Sequence, residues 1–153
     1  MKKVLLIATH LATLLLGIAA GIYLLPILTA EPPAQPGALP SAEALFQGQF
    51  RRDLKDSDFL HWGEGRVTLS AKAVAFEGKL APGPDYKLYL SPSFVEAEAD
   101  FLRLKPTMLR VGDVRNFERF MLPLPAGVDP ARYTTVVVWC ETFGQFITAA
   151  TYR

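Results

Sequence analysis

The chain has 153 residues, of which 50% are hydrophobic and 20% charged, with 16 Lys and Arg against 15 Asp and Glu. Charges that nearly cancel, without a basic stripe, exclude nucleic acid as a partner. The single cysteine excludes an internal disulfide framework, so the folded part has to be held together by packing alone.

The first predicted element is a membrane helix at residues 4–28, a stretch without a charged residue. At about 1.5 Å per helical residue it spans roughly 37 Å, enough to cross a hydrocarbon core of about 30 Å. Lys2 and Lys3 precede it, which predicts that residues 1–3 stay in the cytoplasm and that the rest is exported. A cleaved signal peptide is the alternative. Its apolar core is normally only about 7–15 residues, so we favour a retained signal-anchor.

Residues 29–40 are predicted to form a Pro-rich linker. Such segments are extended at about 3.1 Å per residue, so ten residues reach roughly 30 Å. We expect a spacer that holds the folded part away from the lipid surface. The remaining residues, 41–153, have the size of one small domain.

Residues 41–153 show mainly the period of two that is typical of β-strands. Tyr86, Leu88 and Leu90 should share one strand face, opposite Lys87 and Tyr89. Strands are expected at 49–50, 66–70, 74–76, 86–90, 117–122, 134–140 and 146–152, and turns at 63–65, 71–72, 81–84, 111–113 and 124–127. This spacing predicts an all-β fold, an antiparallel, barrel-like β-sandwich preceded by one N-terminal transmembrane helix. Short helices are expected at 41–46 and 93–102.

Three motifs of this region resemble those of a known family. In chain order they are Gly48-Gln49-Phe50 followed by His61-Trp62-Gly63-Glu64-Gly65-Arg66-Val67, then Gly83-Pro84-Asp85-Tyr86-Lys87-Leu88-Tyr89-Leu90-Ser91, and finally residues 133–146 with Trp139-Cys140. Together they are similar to the DM13 family, also labelled electron-transfer DM13, over about residues 46–152. The resemblance implies an exported, sandwich-like domain with one characteristic cysteine, here Cys140, and a role in redox or electron transfer.

Cys140 is the candidate redox residue, at the end of the strongest strand signal. A reactive thiol has to be ionised and accessible. The neighbouring Glu141 is expected to raise the thiol pKa, because a second negative charge disfavours the thiolate. The alternative is a small core residue, since free cysteine is among the most buried residue types. Both interpretations stay open at this point, and a cleft shared by Cys140 and His61 would favour the redox role.

His61 is the candidate cofactor-binding residue. It and Cys140 are the only soft donors beyond the membrane helix, whereas structural zinc needs four protein ligands and catalytic zinc three. We therefore predict no metal site and name no cofactor. The alternative is a loop histidine beside Trp62, an aromatic that covers one end of the core. Without paired carboxylates, a Ser-His-Asp set or a phosphate loop, the sequence does not indicate an enzyme with its own turnover.

Two functional hypotheses follow. The first is a membrane-tethered redox module, with Cys140 as the working group or as part of a contact surface for an electron carrier. The second is a non-catalytic binding or assembly module presented outside the membrane. Both predict a single-pass protein of the inner or cytoplasmic membrane, with its C-terminal domain in the periplasm or extracellular space and a redox or protein partner there.

Overall fold

The computed structural model of the chain describes residues 1–37 and 43–153. Its helices and strands are α1 (Lys2–Leu28), β1 (Phe46–Phe50), β2 (Gly63–Leu69), β3 (Ala73–Leu80), β4 (Tyr86–Ser91), α2 (Glu98–Leu104), β5 (Leu109–Val114), β6 (Arg119–Pro123), β7 (Thr135–Cys140) and β8 (Gln145–Thr151). Residues 41 and 42 of the expected helical turn lie outside the described residues, and Phe46 already belongs to β1. Residues 43–153 are called the head below.

The strands form two antiparallel sheets of four, which confirms the predicted β-sandwich. One sheet has the order β1-β2-β3-β6 and the other β5-β4-β7-β8. Within the second sheet, β7 pairs with β4 on one side and β8 on the other, so it is a central strand. A central strand rich in Val suits this place, because branched side chains pack well on a pleated surface.

The main core lies between the two sheets and is built from alternate strand residues. Tyr86, Leu88 and Leu90 of β4 point into it, as the period of two predicted, and Val136 and Val138 of β7 lie opposite. All five side chains are buried. Burying a side chain of this size stabilises the fold by about 1.5–3 kcal/mol, so these positions hold the sandwich together without a disulfide.

The second sheet is also covered on its outer face, by α2. Phe101 of α2 stacks on Trp139 of β7, with ring centroids 3.9 Å apart and planes 9° from parallel. The helix expected at 93–102 begins later, at Glu98, where the Asp56 carboxylate accepts a hydrogen bond of 2.7 Å from the Glu98 amide. Since both faces of β7 are buried, its sequence is a continuous apolar run rather than an alternating one.

Two of the turns predicted from glycine are wrong, because residues 63–65 lie in β2 and residues 111–113 in β5. Gly65 has a φ of +135° and is paired with Gly78 of β3. A Cβ on Gly65 would lie 2.5 Å from the Gly78 Cα, so the two glycines let the strands approach closely. Glycine inside a strand often marks such an approach rather than a turn.

Helix α1 continues through Pro26 and ends at Leu28, and the hydroxyl of the next residue, Thr29, donates to the carbonyl of Leu25 at 2.8 Å. Its apolar side chains are exposed along most of its length. The helix is long and apolar enough to cross a membrane, a property that signal sequences near an N-terminus share.

The first part of the linker is hydrogen-bonded to the head. The Glu31 amide donates to the Arg115 carbonyl at 2.9 Å, and the Asn116 side-chain amide donates to the Glu31 carbonyl at 2.7 Å. Three residues further on, the Ala34 amide donates to the Arg119 carbonyl at 3.1 Å. Residues 31–34 of the predicted linker therefore lie against the head, where Arg115, Asn116 and Arg119 satisfy backbone groups of Glu31 and Ala34. These bonds tie the end of α1 to the head.

Candidate functional site

Cys140 is the last residue of β7, and its side chain faces the interior between the two sheets. It is paired across the ladder with Tyr86, the first residue of β4. Both side chains belong to the main core, and only 2% of Cys140 is exposed. The thiol is therefore buried at one end of the sandwich, beside the turns that enter β4 and leave β7.

A cavity of about 640 Å³ reaches Cys140. This volume is within the range of about 300–1,000 Å³ that is typical of small-molecule sites. Its wall is contributed by α1, the loop before β2, the turn before β4 and the turn between β7 and β8, through Ala19, Ile22, Tyr23, Leu60, His61, Pro82, Gly83, Pro84, Tyr86, Cys140, Phe143, Gln145 and Ile147. Cys140 and His61, which are far apart in the sequence, line the same cavity.

The surroundings of Cys140 keep its thiol protonated. Burial raises the pKa of Cys140, and the nearby Asp85 carboxylate acts in the same direction. The backbone amides of Phe143, Asp85 and Thr142 oppose this effect without cancelling it. Since the thiolate is the nucleophilic form, the thiol at neutral pH is a neutral group on the cavity wall rather than an activated nucleophile.

The carboxylate that disfavours the thiolate is not the one expected from the sequence. Glu141 bonds to Lys105 at 2.6 Å and accepts a hydrogen bond from the Tyr89 hydroxyl, both on the outer face of the sheet. Consecutive strand residues point to opposite faces, which separates Glu141 from Cys140. Asp85 is the nearer charge, and it is fixed by Lys87 at 2.5 Å.

Tyr86 is the site residue that sequence reasoning missed as a functional group, although its strand face was predicted. Its side chain is only 3% exposed and lines the cavity. Burial and the neighbouring Cys140 raise the pKa of Tyr86, so the hydroxyl is a donor at any physiological pH. None of the side-chain hydrogen bonds within residues 1–37 and 43–153 includes this hydroxyl, which is not one of the enclosed unpaired atoms and therefore opens to the cavity. A Cβ on Gly83 would lie 2.4 Å from the same hydroxyl, which explains the glycine of the Gly-Pro-Asp motif.

His61 is held by Asp58 at the side of the cavity. Its Nδ1 lies 2.9 Å from Asp58 Oδ2, while Asp58 Oδ1 accepts hydrogen bonds from the amides of Leu60 and His61. Burial acts to raise the pKa of Asp58, but these hydrogen bonds outweigh it and hold the pKa below its usual value. A carboxylate can only accept, so Nδ1 is the donor in this contact and the imidazole ring is held in a fixed orientation. In the part of the chain that the structure describes, no group of three or more His, Cys, Asp and Glu is placed to hold a metal ion.

Large apolar side chains are exposed beside the cavity. Phe59 is 84% exposed, Leu60 44% and Phe143 51%. Leu60 and Phe143 line the cavity itself, and Phe59 is the neighbour of Leu60 in the same loop. Other large apolar side chains of the head are exposed too, at Leu45, Phe94, Leu102 and Met121, so position beside the cavity, not exposure alone, distinguishes these three. These three residues are called the apolar rim below.

The fold and the site define a class: a β-sandwich domain with one thiol at the end of a central strand, reached by an apolar cavity. The sequence profile described as "Electron transfer DM13" matches residues 53–152, and the chain therefore belongs to the DM13 family. Comparison with the curated proteins yields no match, and comparison with the solved structures yields none either.

Proposed function

We propose that this protein is a membrane-anchored electron-transfer module outside the cytoplasm, whose cavity receives an electron carrier against Cys140. The observation that carries the proposal is the cavity itself: Cys140 is not sealed among Val, Phe and Leu side chains but shares an apolar cavity with His61. The family to which the chain belongs is described by electron transfer, which supports the same conclusion.

Cys140 acts in this proposal as a neutral contact group. Its raised pKa argues against a thiolate that attacks a disulfide or a substrate, since less thiolate is present at neutral pH. A protonated thiol at the inner end of the cavity is polarizable and small, so it packs against a carrier without an unpaired charge. His61 faces the same space and is the candidate cofactor-binding residue.

The anchor in this proposal is α1, retained as a signal-anchor at residues 4–28. Lys2 and Lys3 favour a cytoplasmic N-terminus, which leaves the head on the periplasmic or extracellular side. A reporter enzyme that is active only after export, fused after Arg153, is expected to be active and to stay with the membrane fraction. An active reporter released in soluble form would contradict the anchor and support cleavage.

Electron transfer is tested in right-side-out vesicles that contain the full chain. The measured quantity is the rate at which the membrane's own dehydrogenases reduce ferricyanide, an acceptor confined to the outer face. The expected rate is higher with the wild-type chain than without it, and Cys140→Ala is expected to lose most of the increase. Val138→Ala is the matched control, since it shortens a buried side chain on the same face of the same strand but does not line the cavity.

Equal rates with the wild-type chain, with Cys140→Ala and without the chain would contradict electron transfer. That result would instead favour the binding or assembly module, in which the apolar rim contacts a protein partner. Equal losses in Cys140→Ala and Val138→Ala would mean that the thiol only packs, because both variants then act through stability alone.

A further inference from the structure

The depth of the cavity relative to the bilayer follows from the length of α1, once the anchor of the proposed function is accepted. A hydrocarbon core of about 30 Å takes roughly 20 helical residues. Counted from Val4, the first residue after the two lysines, these residues end at Tyr23. Tyrosine is enriched at this level of membrane helices, where its ring lies among the lipid headgroups. The residues beyond Tyr23 then lead out of the hydrocarbon to the head.

The cavity lies at this same level. Ala19, Ile22 and Tyr23 of α1 form one of its walls. The hydrogen bonds between residues 31–34 and the connection from β5 to β6 hold the end of the helix against the head. Leu60 and Phe143 of the apolar rim line the cavity together with these helix residues, so they face the same boundary. A ligand dissolved in the bilayer can therefore enter the cavity without crossing water.

The groups inside the cavity define the chemistry of that ligand. The wall is mainly apolar, and its polar side chains are those of Tyr23, His61, Tyr86, Cys140 and Gln145. Tyr86 is only 3% exposed, and its hydroxyl, which has no side-chain hydrogen bond among the described residues, is not one of the enclosed unpaired atoms and so opens to the cavity. A donor that opens to an apolar cavity is available to an acceptor on a bound ligand. A lipid acyl chain offers none and would leave the hydroxyl unpaired.

We infer that the cavity binds the ring of a lipid-soluble quinone, with one ring carbonyl accepting a hydrogen bond from Tyr86 and the apolar tail leaving past α1. The ring is flat and apolar apart from its carbonyl oxygens, which matches a mainly apolar wall with the Tyr86 hydroxyl as a donor. The inference rests on the proposed function and names its electron carrier by chemical class.

The test uses the full chain in lipid nanodiscs, with decylubiquinone as the probe. Bound probe is measured after subtraction of the amount taken up by empty nanodiscs, and the carbonyl stretch of the bound probe is measured by infrared difference spectroscopy. We expect saturable binding and a carbonyl band shifted to lower frequency. Tyr86→Phe removes one hydrogen bond, so the affinity is expected to fall about tenfold and the shift to disappear.

Tyr89→Phe is the matched control. It removes a hydroxyl from the same strand, but on the outer face, where that hydroxyl bonds to Glu141 and does not line the cavity. Its affinity and carbonyl band are expected to equal those of the wild type. Thermal unfolding of both variants checks that each is folded.

Three outcomes would overturn the inference. They are uptake of the probe no greater than in empty nanodiscs, equal affinities of wild type and Tyr86→Phe for the probe, or displacement of the probe by decanol as readily as by decylubiquinone itself. The last outcome would identify an alkyl-chain site. Each outcome is separable from the proposed function. If the ferricyanide assay still depends on Cys140 while decylubiquinone does not bind, electron transfer stands and the carrier is not a quinone.

Discussion

Replacing Gly83 with alanine tests whether the Gly-Pro-Asp turn is shaped by the Tyr86 ring. The new Cβ would lie 2.4 Å from both Cε1 and the hydroxyl of Tyr86, whereas carbon atoms in ordinary contact are about 3.5–4.0 Å apart. The ring or the turn has to move by about 1 Å, and overpacking of this kind costs roughly 1–3 kcal/mol. Gly83 does not have a positive φ, so the cost is steric alone.

The measurement is the free energy of unfolding of the full chain in mild detergent, from urea titrations followed by tryptophan fluorescence. Gly112→Ala is the control, since its Cβ would meet only Leu122 methyl groups at 3.7 Å. That variant is expected to be neutral or to gain up to about 1 kcal/mol, because alanine restricts the unfolded chain.

A double-mutant cycle completes the test. In a Tyr86→Leu background the atoms that meet the new Cβ are gone, so Gly83→Ala should cost less than about 0.5 kcal/mol there. A cost that persists in that background would refute the reasoning, and so would equal effects of Gly83→Ala and Gly112→Ala in the wild type.

Three further predictions concern the same core and its surface. At pH 7 native Cys140 should react with N-ethylmaleimide at least about tenfold more slowly than the urea-unfolded chain, and the native rate should rise as the pH increases, because burial raises the thiol pKa. Asp113→Asn should remove acid sensitivity: hydrogen bonds from Arg110 and Lys87 lower the pKa of Asp113 to about 2, so their contribution is present above pH 4 and lost as the pH falls towards 2. The Asp113 side chain is 34% exposed, so solvent screening reduces the contribution of these ion pairs to the free energy of unfolding to about 1 kcal/mol. Between pH 5 and pH 2 the wild type should therefore lose about 1 kcal/mol more unfolding free energy than Asp113→Asn. Phe101→Ala should cost about 3–5 kcal/mol in urea unfolding, because it removes the fully buried ring stacked on Trp139.

Each of these predictions has a result that contradicts it. Labelling of native Cys140 at the unfolded rate would mean that the cavity presents an ionised, open thiol. Identical acid profiles for wild type and Asp113→Asn would mean that the ion pairs around Asp113 are too exposed to contribute. Phe94→Ala is the control for Phe101→Ala, since Phe94 is 45% exposed, and equal losses in the two would mean that α2 is not anchored by the stack.

Local pattern was sufficient to predict much of the fold. The period of two located β4 and the faces of Tyr86 and Leu88, and the Val-rich run located β7. The local sequence pattern failed at β5, where Val111-Gly112-Asp113 was interpreted as a turn. Pairing with β4 fixes this edge strand, and a long-range pairing leaves no local signal. The late start of α2 has the same cause, since its first amide is capped from Asp56, more than forty residues away.

The candidate site was predictable as a set of residues but not as an arrangement. Cys140 and His61 were singled out by residue type, yet their common cavity depends on a loop, two turns and α1 coming together at one end of the sandwich. Nothing in the sequence indicated that Tyr86 is a functional residue, because a tyrosine at a core position usually serves only to pack the core. The position of its hydroxyl on the cavity wall is visible only once its surroundings are known.

The alternation of strand residues separates the two tasks of the second sheet. On its outer face Trp139 and Glu141 hold α2 and the Lys105 side chain, and on its inner face Cys140 and Tyr86 end at the cavity. A shift of one residue in the register of β7 would exchange these faces, burying the Glu141 carboxylate in the core and exposing the thiol. The site therefore inherits its position from the same packing that stabilises the fold. A ligand bound beside Cys140 would consequently contact the end of a central strand as well as the loop and turns that complete the cavity wall.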